Sequence, residues 1–275
     1  MSTAELDPLV ARVLFGSILG TARTAAALNQ AAVAERTGIA AERVANLEQG
    51  RSAPTPAETE SFVTLYDLPK DRAAELRDYG AIAADRAPVT GSAGRRRNYA
   101  VYERAASEIQ MVYPCVPGLL QTHAYAFAQI RRSPVVPPAT AGERATARIE
   151  RAASVVTRTD RRVSVVIGEE ALYREIGGRD ALREQLARVV EFSDLDHVTI
   201  QVFPWSAGET AGLSSPFAIL SIAQGLLRLV YSESLTQNSY TKRLGAFVEA
   251  FQDAQERALS PKDSRRLLER RINDL

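Results

Sequence analysis

Thiol and imidazole are nearly absent from this chain: Cys115 is its only cysteine, and His123 and His197 are its only histidines. One thiol excludes an intramolecular disulfide or a thiolate cluster, and two distant histidines offer no ligand spacing. No metal and no cofactor is therefore expected, and a reducing compartment fits. The sequence also has no run of about 18 apolar residues and no basic segment followed by an apolar stretch at its start, so the expectation is a cytoplasmic protein without a membrane association. The phosphate-binding lysine motif, the dinucleotide glycine pattern and the nucleophile elbow are missing too. Lysine is scarce, with Lys70, Lys242 and Lys262 standing beside 31 arginines. We ascribe that bias to a GC-rich genome before any mechanism.

What is there describes an ordinary globular protein of one large or two smaller domains: 275 residues, 45% apolar, 24% charged, with a net charge of +1. The charge is unevenly spread. Residues 1–94 carry 9 Lys+Arg against 12 Asp+Glu, a net of −3, and the remainder has 25 against 21, a net of +4.

Residues 1–85 read as five short helices. Leu9, Val10, Val13, Leu14, Ile18 and Leu19 give helical spacing from Asp7 to about Ala27. Asn29 caps a second helix to about Arg36, Gly38 makes a turn, and a third helix runs from Ala41 to Gln49, ending at Gly50. Thr55-Pro56-Ala57-Glu58 combines an N-cap, a first-turn proline and a capping-box glutamate, and a fifth helix follows from Lys70. Residues 86–98 form a linker rich in small residues and containing Arg95-Arg96-Arg97. Beyond it, residues 99–275 read as an α+β domain with a small sheet: helices near 99–112, 118–132, 140–157 and 178–192, strands at 162–167 and 198–203, a hairpin over 216–231 and two closing helices. The whole is mainly α with an α+β C-terminal domain.

The segment from Gln30 to Leu47 has the anatomy of a helix-turn-helix: Ala34 where two helices must approach, Gly38 in the turn, and Ile39, Val44 and Leu47 to bury the second helix. Leu28-Asn29-Gln30, Ala34 to Gly38 and Leu47 to Pro54 resemble the phage-repressor-like (XRE) family of helix-turn-helix proteins. The resemblance implies that Gln30 touches phosphate, that Glu42, Arg43, Ala45, Asn46 and Gln49 face DNA with Arg51 near the backbone, and that Glu48 pairs with Arg23. It also implies a homodimer, because one such module makes too few contacts for specificity. The chain departs from the family's pattern in placing Ala41 and Ala45 on the reading helix and few cations on the first.

The larger domain is similar to the domain of unknown function that follows such modules in many actinobacterial regulators, through Tyr102-Glu103, Val116-Pro117-Gly118-Leu119-Leu120-Gln121-Thr122, Tyr125-Ala126, Gly168-Glu169-Glu170-Ala171-Leu172, Arg183 to Leu186, Val202-Phe203-Pro204, Val230-Tyr231-Ser232-Glu233 and Ala258 to Pro261. That resemblance implies a regulator of secondary metabolism or development, often encoded beside a small partner protein. Read from the residues, Pro117-Gly118 opens a helix on which Gln121 and Tyr125 share a face. Glu103, Glu169 and Glu233 stand at element ends where carboxylates commonly line pockets, with Trp205 and Tyr231 as aromatic lining. His123, Tyr125 and the three glutamates are candidate acid or base groups.

Two functions fit. One is a DNA-binding transcriptional regulator whose C-terminal domain senses a ligand or partner. The other is a repurposed helix-turn-helix protein acting as a metal-free, cyclase-like or acid/base enzyme, or as a small-molecule binder, in a biosynthetic pathway.

Overall fold

A computed structural model describes residues 6–84 and 92–275, with residues 92–98 in backbone only. The linker expected at 86–98 falls outside the described residues up to 91, and helix occupies its last part. The chain forms two compact units: one runs through Ala106 and takes in Ser221–Leu227, and the other holds Ser107–Leu220 and Arg228–Leu275.

The first unit is helical: α1 (Pro8–Ala25), α2 (Gln30–Thr37), α3 (Ala41–Glu48), α4 (Pro56–Leu65), α5 (Lys70–Ala83) and α6 (Ser92–Ala105). Its starts are written in side chains. The Asp7 carboxylate accepts from Leu9 N, Asn29 Oδ1 accepts from Ala32 N, and Thr55 and Glu58 complete a reciprocal capping box. Phe15, Leu19, Val33, Val44, Leu47, Phe62, Leu76 and Tyr79 make one core, so α1 to α5 each bury one stripe against the others. Two glycines are sterically required. Gly38 ends α2 at φ 73°, and Gly16 brings α1 so close to the end of α3 that a Cβ there would overlap the Leu47 and Glu48 carbonyl oxygens.

The second unit is built on a six-stranded sheet in the order β3-β2-β1-β4-β5-β6, the strands being β1 (Ala106–Tyr113), β2 (Arg162–Gly168), β3 (Val198–Phe203), β4 (Phe217–Ile222), β5 (Leu227–Glu233) and β6 (Asn238–Thr241). Three strands run parallel, with Met111, Val165 and Ile200 in one register row and Val112, Val166 and Gln201 in the next. The connections that parallel pairing requires are α7 (His123–Arg131) with α8 (Ala141–Val156), and α9 (Arg179–Phe192). A short α10 (Ala211–Ser214) precedes the β4–β5 hairpin, and α11 (Gly245–Arg257) and α12 (Pro261–Asp274) close the chain. One sheet face packs Val112, Val166, Phe203, Phe217, Ile219 and Val230 under Phe251 and Ala254 of α11. Buried on both faces, β2 reads as Val163-Ser-Val-Val-Ile167 without alternation.

Two local expectations are corrected. The helix expected over 99–112 ends at Ala105, and residues 106–113 form the strand β1 between β2 and β4, because Ile109, Met111 and Val112 gain more from a central sheet position than from a helical stripe. A 3₁₀ turn covers Gly118–Leu120, and α7 starts only at His123, capped by Thr122. Gln121 is therefore extended and shares no helix face with Tyr125.

Candidate nucleic-acid interface and C-terminal cleft

On α3 the residues separate by face. Val44, Leu47 and Glu48 are buried, and Glu42, Ala45, Asn46 and Gln49 follow one another at helical spacing on the other side, with Glu42 and Gln49 exposed. Two ion-pair networks seat this helix. Glu48, only 8% exposed, accepts from Arg23 Nε at 2.6 Å, Arg23 Nη2 at 3.1 Å and Gln30 Nε2 at 2.8 Å, so one carboxylate joins α1, α2 and α3. The hydrogen bond to Glu48 holds the Arg23 guanidinium above its usual pKa against the cost of desolvation. Burial, aided by the Glu48 charge, pushes the Tyr66 phenol beside this network up to about 12. The second network starts from Arg43, whose Nε and Nη2 reach the Glu58 carboxylate at 2.7 and 2.8 Å while Nη2 also donates to Ala53 O.

The family resemblance placed Gln30 and Arg43 on the DNA side. The structure ties the Gln30 amide nitrogen to Glu48 and two of the three Arg43 nitrogens to the fold, leaving Gln30 Oε1 and Arg43 Nη1 outside those bonds. Arg72 pairs with Glu75 and Arg77 with Glu60. Among the described residues Arg36, Arg51 and Lys70 make no ion pair and are exposed.

The expected pocket residues scatter. Glu103 is fully buried on α6, in the first unit. On β5, Tyr231 is buried beside Tyr240 and Glu233 is exposed opposite Asn238. His123 is exposed at the first position of α7, its Nε2 3.3 Å from Thr146 Oγ1. Gln121 and Tyr125 both reach the backbone of Val116, just beyond the carboxyl end of β1, inside a packed network. Gln121 Nε2 donates to Val116 O and Gln129 Oε1, and Arg148 Nη1 donates to Gln121 Oε1 at 2.7 Å. Gln185 braces the same segment, accepting from Thr122 N and donating to Leu120 O. Cys115 lies here as well. Burial pushes its thiol pKa up, against opposing pulls from Arg174 and Gln129. Burial likewise raises the Tyr125 phenol, whose hydroxyl is enclosed without a hydrogen bond of normal geometry.

Glu169 and Trp205 come together across the carboxyl ends of β2 and β3, where Trp205 N donates to Glu169 Oε2 at 2.9 Å. An open cleft of about 310 Å³ adjoins them, lined by Glu170, Arg174, Phe203, Pro204, Trp205, Gly208 and Leu213. Sequence reasoning missed Glu170 and Arg174. The available signal was their position just after a buried parallel strand, where open α/β sheets place their ligand crevices. No group of three or more His, Cys, Asp or Glu able to hold a metal occurs among the described residues. No single described helix is long and apolar enough to cross a membrane.

Two helices set against each other through a glycine turn, the second presenting a solvent face, define a helix-turn-helix protein, and a helix-turn-helix domain model matches residues 14–76. The domain of unknown function DUF5753 matches residues 96–270, so the chain belongs to the family of proteins that carry it. No curated protein and no solved structure matches the chain.

Proposed function

We propose that the chain is a cytoplasmic, homodimeric transcriptional regulator of secondary metabolism or development in an actinobacterium, with an XRE-like reading domain (residues 1–85) and a C-terminal domain (residues 99–275) that senses a small molecule or a small partner protein. The observation that carries this reading is the face of α3. Asn46 and Gln49 carry the amides suited to adenine in a major groove, Ala45 suits a thymine methyl, and Glu42 suits the amino group of cytosine. Arg51, exposed and unpaired just after α3, is the phosphate contact of this scheme. The test is a mobility shift of the full chain with DNA from upstream of its own gene at low salt. A shift is expected, and Asn46→Ala and Gln49→Ala each weaken it by about 1–3 kcal/mol for the matching site. No shift at low salt removes the proposal.

One observation favours a second reading, a small-molecule binder or metal-free enzyme. Arg23, Arg43, Arg72 and Arg77 are all held by glutamates, which leaves few cations for DNA. Turnover of a pathway intermediate by protein that shifts no DNA supports that reading. Undiminished turnover in Glu169→Gln removes the catalytic role of that carboxylate.

A further inference from the structure

The cleft beyond β2 and β3 has an unusual electrostatic make-up. Glu170 and Arg174 both line it, four residues apart, yet among the described residues the carboxylate and the guanidinium make no ion pair with each other or with any other side chain. Glu170 lies within the 3₁₀ turn Glu169–Leu172 and Arg174 follows that turn, and the Glu170 carboxyl folds back over Gly168, occupying the space a Cβ would take there. The other side chains of the lining are apolar: Phe203, Pro204, Leu213 and the ring of Trp205, which is 58% exposed and stacked at 4.9 Å on Tyr173. That aromatic pair is braced from behind by Arg271 of α12, which lies 4.8 Å over the Tyr173 ring and donates to Leu172 O. Arg174 also acts electrostatically on the buried Cys115 thiol and Tyr125 phenol.

We propose that this cleft binds a small amphoteric molecule, one that carries a carboxylate and a cationic amine on a flat apolar body, such as an aromatic α-amino acid or a peptide end. The argument is one of exclusion as much as attraction. A simple anion drawn to Arg174 meets the Glu170 carboxylate, and a simple cation drawn to Glu170 meets Arg174, so only a ligand supplying both charges satisfies both groups. The Trp205 face takes the flat body and favours a nearby ammonium. A volume near 310 Å³ lies at the small end of the range of about 300–1,000 Å³ for ligand pockets, which suits an amino acid and not a polycyclic product. This rests on the reading of the C-terminal domain as the sensing part and names its ligand class.

Trp205 is the only tryptophan in the chain, so its emission reports on the cleft alone. The full chain is titrated with L-phenylalanine, with phenethylamine, which lacks the carboxylate, and with 3-phenylpropanoate, which lacks the amine. Saturable change with L-phenylalanine is expected, with each single-charge analogue binding about tenfold more weakly. Arg174→Gln is expected to weaken L-phenylalanine and strengthen phenethylamine, and Glu170→Gln to weaken L-phenylalanine and strengthen 3-phenylpropanoate, since each removes the charge that repels the analogue. Gly168→Ala keeps both charges but displaces the Glu170 carboxyl, and should lose affinity for L-phenylalanine as Glu170→Gln does. The proposal is overturned if neither L-phenylalanine nor the dipeptide Phe-Gly changes Trp205 emission up to about 10 mM. Equal response to all three probes overturns it as well, since that is stacking without charge recognition. The DNA shift is measured separately: binding of L-phenylalanine by protein that shifts no DNA leaves this site standing and removes the regulator.

Discussion

Glu48 shows how much one side chain can organise. Its two oxygens accept three hydrogen bonds from α1 and α2 at 8% exposure, so removing it leaves the Arg23 guanidinium partly buried without its counter-charge. Glu48→Ala should destabilise the helical unit by about 2–3 kcal/mol, read as lost amide-exchange protection across α1 to α3. Protection unchanged in those helices would refute this. Cys115 makes the opposite case, a reactive type made inert by its surroundings. Burial raises its thiol pKa, so its thiolate fraction at neutral pH is below that of a free cysteine. Alkylation by iodoacetamide should be slower than in the unfolded chain and accelerate as pH rises; equal rates folded and unfolded would contradict the burial argument.

At the scale of elements, α3 is set by a close approach and a staple. Gly16→Val drives a branched side chain into the Leu47 and Glu48 carbonyl oxygens, and should lower stability by at least about 1–3 kcal/mol in a denaturation curve. The staple from Arg43 to Glu58 has a pH signature. The Arg43 hydrogen bond, with a smaller contribution from the Thr55 backbone N–H, holds the Glu58 carboxyl below its ordinary value of 4.5, against the opposing effect of burial. A depressed carboxyl stabilises the fold fully above the unfolded value and loses that contribution as pH falls through the folded one. Stability of the helical unit should therefore fall as pH drops below about 4.5, and the fall should be smaller in Arg43→Ala. Identical acid profiles would show that the pair contributes nothing.

For the whole molecule, charge decides how DNA binding must look. Among the described residues the four glutamate-held arginines leave three exposed cations, Arg36, Arg51 and Lys70, in a domain of net charge −3, so the logarithm of affinity against the logarithm of salt should have a slope of about −3 per subunit and about −5 for the proposed dimer. A slope near −8 would mean that the ion pairs open on DNA. Arg51→Ala should reduce the slope by about one unit per subunit.

Much of the helical unit was legible because its signals are local. Asn29, Gly38, Thr55 and Glu58 cap or turn the chain within three or four residues of themselves, and the apolar stripes need no partner to be seen. The mixed class of the second unit was equally readable from Arg162–Gly168 and Val198–Phe203, whose β-branched runs suit buried parallel strands. The sequence could not show that residues 106–113 are a strand, since their apolar spacing suits either period and pairing with β2 and β4 decides it. Nor could it separate the candidate carboxylates. Glu103, Glu169 and Glu233 look alike in one dimension, yet one is buried on a helix, one holds the Trp205 backbone and one is exposed on β5. Local chemistry set the caps, the helices and the class of fold. Long-range packing alone joined Arg23 to Glu48 and Arg43 to Glu58, and laid Glu170, Arg174 and Trp205 around one cleft, because those meetings depend on strand order and helix docking rather than on neighbours in the chain.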